Sequence, residues 1–159
     1  MSGAYSRDRG RRYEVLCANE LAWRLGLDVV TTRSLGATYG ADLATVTAYD
    51  AHGRPAMHSP SVLGWSIECK AVKRRNPSGW LKQAREQAAP GRRPVVLWKK
   101  PRASWQDGSV FLEDEDAPRG WVELPVGEWL SQAWAKPRRE DADEVADRIM
   151  ADRLADGYY

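Results

Sequence analysis

Trp65-Ser66-Ile67-Glu68-Cys69-Lys70 is the stretch on which the fold turns. Taken as a β-strand, it sets Glu68 and Lys70 on one face and Ile67 and Cys69 on the other, because successive side chains alternate. One face is charged and the other apolar. Gly40-Ala41-Asp42-Leu43 precedes it. If Asp42 opens a neighbouring strand, two carboxylates and an ammonium meet around one point. Carboxylate oxygens hold a hard cation such as Mg²⁺, which keeps several waters, and one of those waters can become a nucleophile. This is what metal-assisted phosphodiester hydrolysis requires. A blander reading makes Glu68 and Lys70 a surface ion pair and Asp42 a turn or cap residue.

Working outward, about Arg9 to Leu25 reads as a helix, with Tyr13, Leu16, Cys17, Leu21 and Leu25 three or four apart and Gly26 as a stop. The β-branched run Leu27 to Arg33 reads as a strand. Ser34 to Gly40 is a loop that delivers Asp42 to a second strand, Ala41 to Tyr49. Asp50 to Gly64, with Gly53, Pro55 and Pro60, reads as an extended hairpin connection. The third strand covers about Gly64 to Val72. Asn76 or Ser78 caps a helix over about Gly79 to Ala89, and Pro90-Gly91 ends it. Pro94 to Lys99 is continuously apolar, as a buried central strand would be. A hairpin pairs Ser109 to Leu112 with Trp121 to Leu124, and Val126 to Trp134 forms a short amphipathic helix. Arg139 to Leu154 reads as a charged helix with a thin apolar stripe.

The 159 residues, 43% apolar and 29% charged, are composed as a globular chain with its own core. No apolar run reaches the roughly 18–20 residues that span a bilayer, and the arginine-rich start lacks a following hydrophobic region. The expectation is a cytoplasmic protein with no membrane partner. Cys17 and Cys69 have no C-x-x-C spacing, so they read as small buried apolar residues and not as zinc ligands or a disulfide. Trp98 and Trp121 read as core anchors. Trp105 is the tryptophan best suited to an exposed role, and His52 and His58 read as exposed loop residues.

A net charge of +2 conceals a segregation. Lys70 to Arg102 holds eleven Lys and Arg against the single acid Glu86, a balance of +10, whereas Ala103 to Tyr159 carries −8. The middle of the chain suits a polyanion. Lys73, Arg74, Arg75, Lys82, Arg92 and Arg93 are candidate phosphate contacts, and Arg7, Arg9, Arg11 and Arg12 form a second basic patch. Contacts of this kind give affinity and register without base information.

The order helix, strand, strand, strand, helix, strand, with acids on the second and third strands, resembles the PD-(D/E)xK nuclease superfamily. It is most similar there to the Holliday-junction resolvases of archaea and the related endonucleases of bacteriophages. The matching residues are Gly10-Arg11-Arg12-Tyr13-Glu14, Gly40-Ala41-Asp42-Leu43, Ile67-Glu68-Cys69-Lys70 and Gly79-Trp80-Leu81-Lys82-Gln83-Ala84, then Pro94 to Lys99 and Gly120 to Leu124. The likeness spans roughly Arg9 to Leu130. It departs from the superfamily pattern in two ways: Ala41 stands where a proline is usual, and twenty-five residues separate Asp42 from Glu68.

The resemblance implies an α/β fold with a restriction-endonuclease-like core, an αβββαβ mixed sheet flanked by helices, over residues 1–135. A charged helical tail would follow over 136–159. It implies that Asp42, Glu68 and the main-chain carbonyl of Cys69 ligate Mg²⁺ or Mn²⁺, with Glu14 reaching the ion directly or through water. Glu20 is the rival third acid, about 240° round the same helix. Lys70 would orient or help deprotonate the attacking water, and Gln83 would aim at the site. The implied activity is a structure-selective DNA endonuclease of recombination and repair that resolves four-way junctions as a homodimer, within a cell or encoded by a phage. Two alternatives remain open: a nuclease of linear or single-stranded DNA, and an inactive DNA-binding protein on the same fold.

Overall fold

The computed structural model describes residues 2–36 and 40–133. Helix α1, Ser2–Leu25, starts seven residues before the expected Arg9. Its first turns are exposed and carry no apolar stripe to betray them. Tyr13, Cys17, Ala18 and Leu21 form its buried face, and Gly26, at φ 66°, ends it.

Strands β1 (Val29–Thr31), β2 (Leu43–Tyr49) and β3 (Pro55–Ser59) make an antiparallel sheet in the order β1-β2-β3. Strand β3 lies within what reads as an extended hairpin connection. The Asp50 carboxylate accepts from the amides of His52 and Arg54 at 2.8 and 2.9 Å, and Gly53 turns at φ 74°, which closes a tight hairpin. Pro55 opens an edge strand, where its missing N–H goes unused. His58 consequently sits half-buried in β3 and not in a loop; His52 is exposed.

A two-residue turn through Leu63 (φ 48°) and Gly64 (φ 84°) then leads into β4, Trp65–Lys70. It pairs in parallel with β5, Arg93–Trp98, which pairs antiparallel with β6, Ser109–Glu113, and that with β7, Trp121–Pro125. Helix α2, Pro77–Gln87, bridges β4 and β5. Asn76 caps it by accepting from the Gly79 amide, and Pro77 occupies its first position, where no N–H is needed. Trp80, Leu81 and Ala84 of α2 pack on Val96, Trp98 and Phe111, with Trp121 set edge-on to Phe111 at 5.5 Å.

The fold is α/β, but its strands are hydrogen-bonded as two sheets, where one mixed sheet was expected. Both edges of β2 are occupied, by β1 and β3, so β4 adds no strand to that sheet; its backbone hydrogen bonds there go to Asp42, the residue just before β2, whose amide donates to the Ile67 carbonyl at 2.9 Å. The chain divides after Gly127 into two compact units, within the short helix α3, Val126–Ala133. The boundary expected near residue 135 and the charged tail beyond it lie outside the described residues. No helix among the described residues is long and apolar enough to cross a membrane.

Candidate active site

Asp42 is strapped from three directions. Its amide donates to Ile67 O, its carbonyl accepts from the Thr32 amide at 2.9 Å, and its Oδ2 accepts from the Cys69 amide at 2.7 Å. The buried Thr32 hydroxyl also donates to the Ala41 carbonyl at 2.8 Å. Gly40 precedes this segment where a Cβ would stand 2.6 Å from the Gln87 carbonyl oxygen, so only glycine lets the chain pass the end of α2. Ala41, in the place of the usual proline, is buried.

Glu68 is 5% exposed, and its Oε1 accepts from Lys70 Nζ at 2.8 Å. The expected division of β4 into a charged and an apolar face thus becomes a buried acid with a half-covered ammonium as its partner. Lys70 Nζ also lies 3.4 Å from Gln83 Oε1, which brings the α2 glutamine to the site. Glu14 projects from α1, nearly buried, and accepts from Arg33 at 3.4 Å. Glu20 faces elsewhere and pairs with Arg24 one turn on.

Glu14, Asp42, Glu68, Cys69 and Lys70 line one pocket of about 290 Å³, together with Arg7, Arg11 and Arg33. Crowded acids raise one another. Burial and the Glu68 carboxylate push Asp42 up to about 7, Glu14 adds to the rise, and the Cys69 amide and Lys70 oppose it. Burial also raises Glu68, against the pull of Lys70. Among the described residues, no three His, Cys, Asp or Glu side chains cluster as a ready cage for an ion. Mg²⁺ needs less than that, since it binds through one or two carboxylates and keeps its waters. Asp42 and Glu68 supply those, and strand alternation turns the Cys69 carbonyl to the same edge as that of Ile67, facing Asp42. The donor set is all oxygen and fits a hard cation.

The candidate phosphate contacts divide. Arg11 borders the acidic pocket, Lys73 borders a neighbouring one, and Arg74, Lys82 and Arg92 are exposed. Arg75 is engaged internally, in an ion pair with Glu123 and over the rings of Trp98 and Phe111. Arg93 lies over the Trp65 ring at 4.4 Å, and Arg12 pairs with Asp8. Trp105, expected to be exposed, is 4% exposed, with the Arg24 guanidinium over its ring. Cys17 and Cys69 are free and buried, as expected. Arg33 and Thr32 are the site residues that sequence reasoning missed. Nothing local marks them, since their partners are 19 and 9 residues away.

No protein family, curated protein or solved structure matches the chain.

Proposed function

We propose that this protein is a divalent-metal-dependent DNA endonuclease with a restriction-endonuclease-like core, related in kind to the PD-(D/E)xK junction resolvases. One observation carries the reading. Acids from α1, from the residue just before β2 and from β4 line the same pocket as Lys70, bordered by arginines. The elements α1, β1, β2, β4, α2 and β5 follow the order of such a core, with β3 as an insertion.

Asp42, Glu68 and the Cys69 carbonyl would hold the ion, and Glu14 would reach it through water. Bound there, Mg²⁺ or Mn²⁺ would lower the pKa of a water and stabilise charge on the phosphate. The chain's own groups do the rest. Lys70, anchored by Glu68 and Gln83, presents an ammonium that orients the attacking water and offsets the phosphate charge. Arg7, Arg11 and Arg33 give the pocket a cationic rim that draws a polyanion to otherwise repellent carboxylates. A four-way junction offers two equivalent strands, so the working form on this reading is a twofold dimer.

The test compares nicking of a synthetic four-way junction with that of a duplex of equal length, with Mg²⁺ and with EDTA. Strong preference for the junction supports resolution, and equal cutting of both supports a general nuclease. Cleavage that persists in Asp42→Asn and in Lys70→Ala would overturn the site.

A further inference from the structure

Helix α1 borders two pockets of opposite character. Ser6, Arg7, Gly10, Arg11 and Glu14 line the acidic one. Tyr5 and Arg9 line a second, of about 440 Å³, completed by Lys73, Lys99, Pro101 and Arg102. The two adjoin twice along the chain: Arg9 precedes Gly10 on α1, and Lys73 follows Val72, itself a wall of the acidic pocket.

The second pocket has four cations and no carboxylate in its lining. None of the four is in an ion pair among the described residues. Aromatic rings and a carbonyl hold two of them in place: Arg9 lies 4.8 Å from the Tyr5 ring centroid, and Lys99, 5.5 Å from that of Tyr13, donates to the Ala103 carbonyl at 3.1 Å. These partners position charge without cancelling it. Concentrated, uncompensated positive charge in a concave site suits an anion.

Two backbone features point the same way. Arg102 adopts φ 71°, a left-handed conformation that costs a non-glycine residue about 1–2 kcal/mol, and it carries an arginine into the pocket despite that. Gly10 sits inside α1, where glycine costs about 1 kcal/mol relative to alanine. A Cβ there would meet no protein atom within 4 Å, so packing does not require the glycine. Glycine also serves where a ligand must approach the backbone closely.

We infer that the Arg9, Lys73, Lys99 and Arg102 pocket is a second phosphate subsite. It holds a backbone phosphate of the same nucleic-acid strand, near the phosphate at the acidic pocket, and the strand crosses α1 over Gly10. The inference rests on the acidic pocket taking a nucleic-acid strand.

The test measures binding of a fluorescent four-way junction and a matched duplex in EDTA, over a series of salt concentrations. The Lys73→Gln/Arg102→Gln double variant should bind about tenfold more weakly and lose roughly 0.9 from the log–log salt slope per lost phosphate contact. Arg54→Gln/Arg119→Gln removes the same charge outside both pockets and should shift affinity less than about twofold. Gly10→Leu favours the helix, so its melting temperature should hold or rise while affinity falls. Equal losses in the two double variants, or full affinity in Gly10→Leu, overturn the subsite. Because binding is read without metal, the two proposals fail separately. Pocket-dependent binding with no cleavage in Mg²⁺ defeats only the nuclease, and cleavage with unchanged affinity in the pocket variant defeats only the subsite.

Discussion

The Cys69 amide donates a 2.7 Å hydrogen bond to Asp42 Oδ2, joining residues 27 positions apart. It fixes the first acid against the strand that carries the second. Through it, the backbone of β4 becomes part of the site while the Cys69 side chain stays in the core.

Asp42→Asn and Asp42→Ala should therefore part company. Both lose the charge, and both should lose metal-dependent cleavage by about a hundredfold or more. Asparagine still offers an acceptor to the Cys69 amide, whereas alanine leaves that amide unpaired at about 1–3 kcal/mol. Urea unfolding should find Asn more stable than Ala by that margin, and equal midpoints would show the bond to be dispensable.

In the absence of divalent ions, stability should fall as pH rises. Asp42 ionises near pH 4 in the unfolded chain and at about 7 when folded. Between those values the folded state keeps a proton that the unfolded state has released. Its contribution is thus most favourable below pH 4 and is lost progressively up to about pH 7, by on the order of 2–4 kcal/mol. Glu68, also raised, acts in the same direction. The urea midpoint in EDTA should drop between pH 5 and pH 8, and Asp42→Asn should flatten the drop. Millimolar Mg²⁺ at pH 8 should restore stability to the native sequence but not to that variant.

Removing the Lys70 ammonium leaves Glu68 buried without its cation. Lys70→Ala should lose about 2–3 kcal/mol at pH 8, and less as the pH is lowered, because burial already raises Glu68 toward its neutral form, which needs no cation. Cleavage should fall by about 10²–10⁴, whereas Gln83→Ala, which only steadies Lys70, should lose roughly tenfold. A Gln83→Ala defect as deep as that of Lys70→Ala would make Gln83 a substrate contact.

Gly40→Ala should destabilise the fold by about 1–3 kcal/mol, because the new methyl meets the backbone of Gln87. Thermal melting measures it, and the site should suffer with the fold, since the same segment carries Asp42.

Arg75→Ala should lower stability by about 1 kcal/mol through its lost ring contacts. The salt dependence of DNA binding should not change. A slope reduced by a full phosphate contact would return Arg75 to the interface.

Much of this architecture was legible in advance. The alternation of Ile67, Glu68, Cys69 and Lys70 locates β4, the Asn76-Pro77 pair starts α2 and the apolar run after Pro94 marks the central β5. The Asp50 to Gly64 hairpin was legible, but its second arm, β3, was not, because Pro55 and Gly53 signal a break and the exposed residues after them leave no apolar periodicity. Trp105 escaped because polar neighbours suggest exposure, although the chain folds its ring inward.

Local order determines what the sequence alone could tell: which segments are helix or strand, which faces carry acid, and where positive charge accumulates, since each follows from residues within a turn or two of one another. Tertiary structure decided the partnerships. Asp42 with Cys69, Glu14 with Arg33, Arg75 with Glu123, and the split into two sheets all depend on long loops closing and strand edges being filled, and side-chain periodicity does not encode which distant partner fills them.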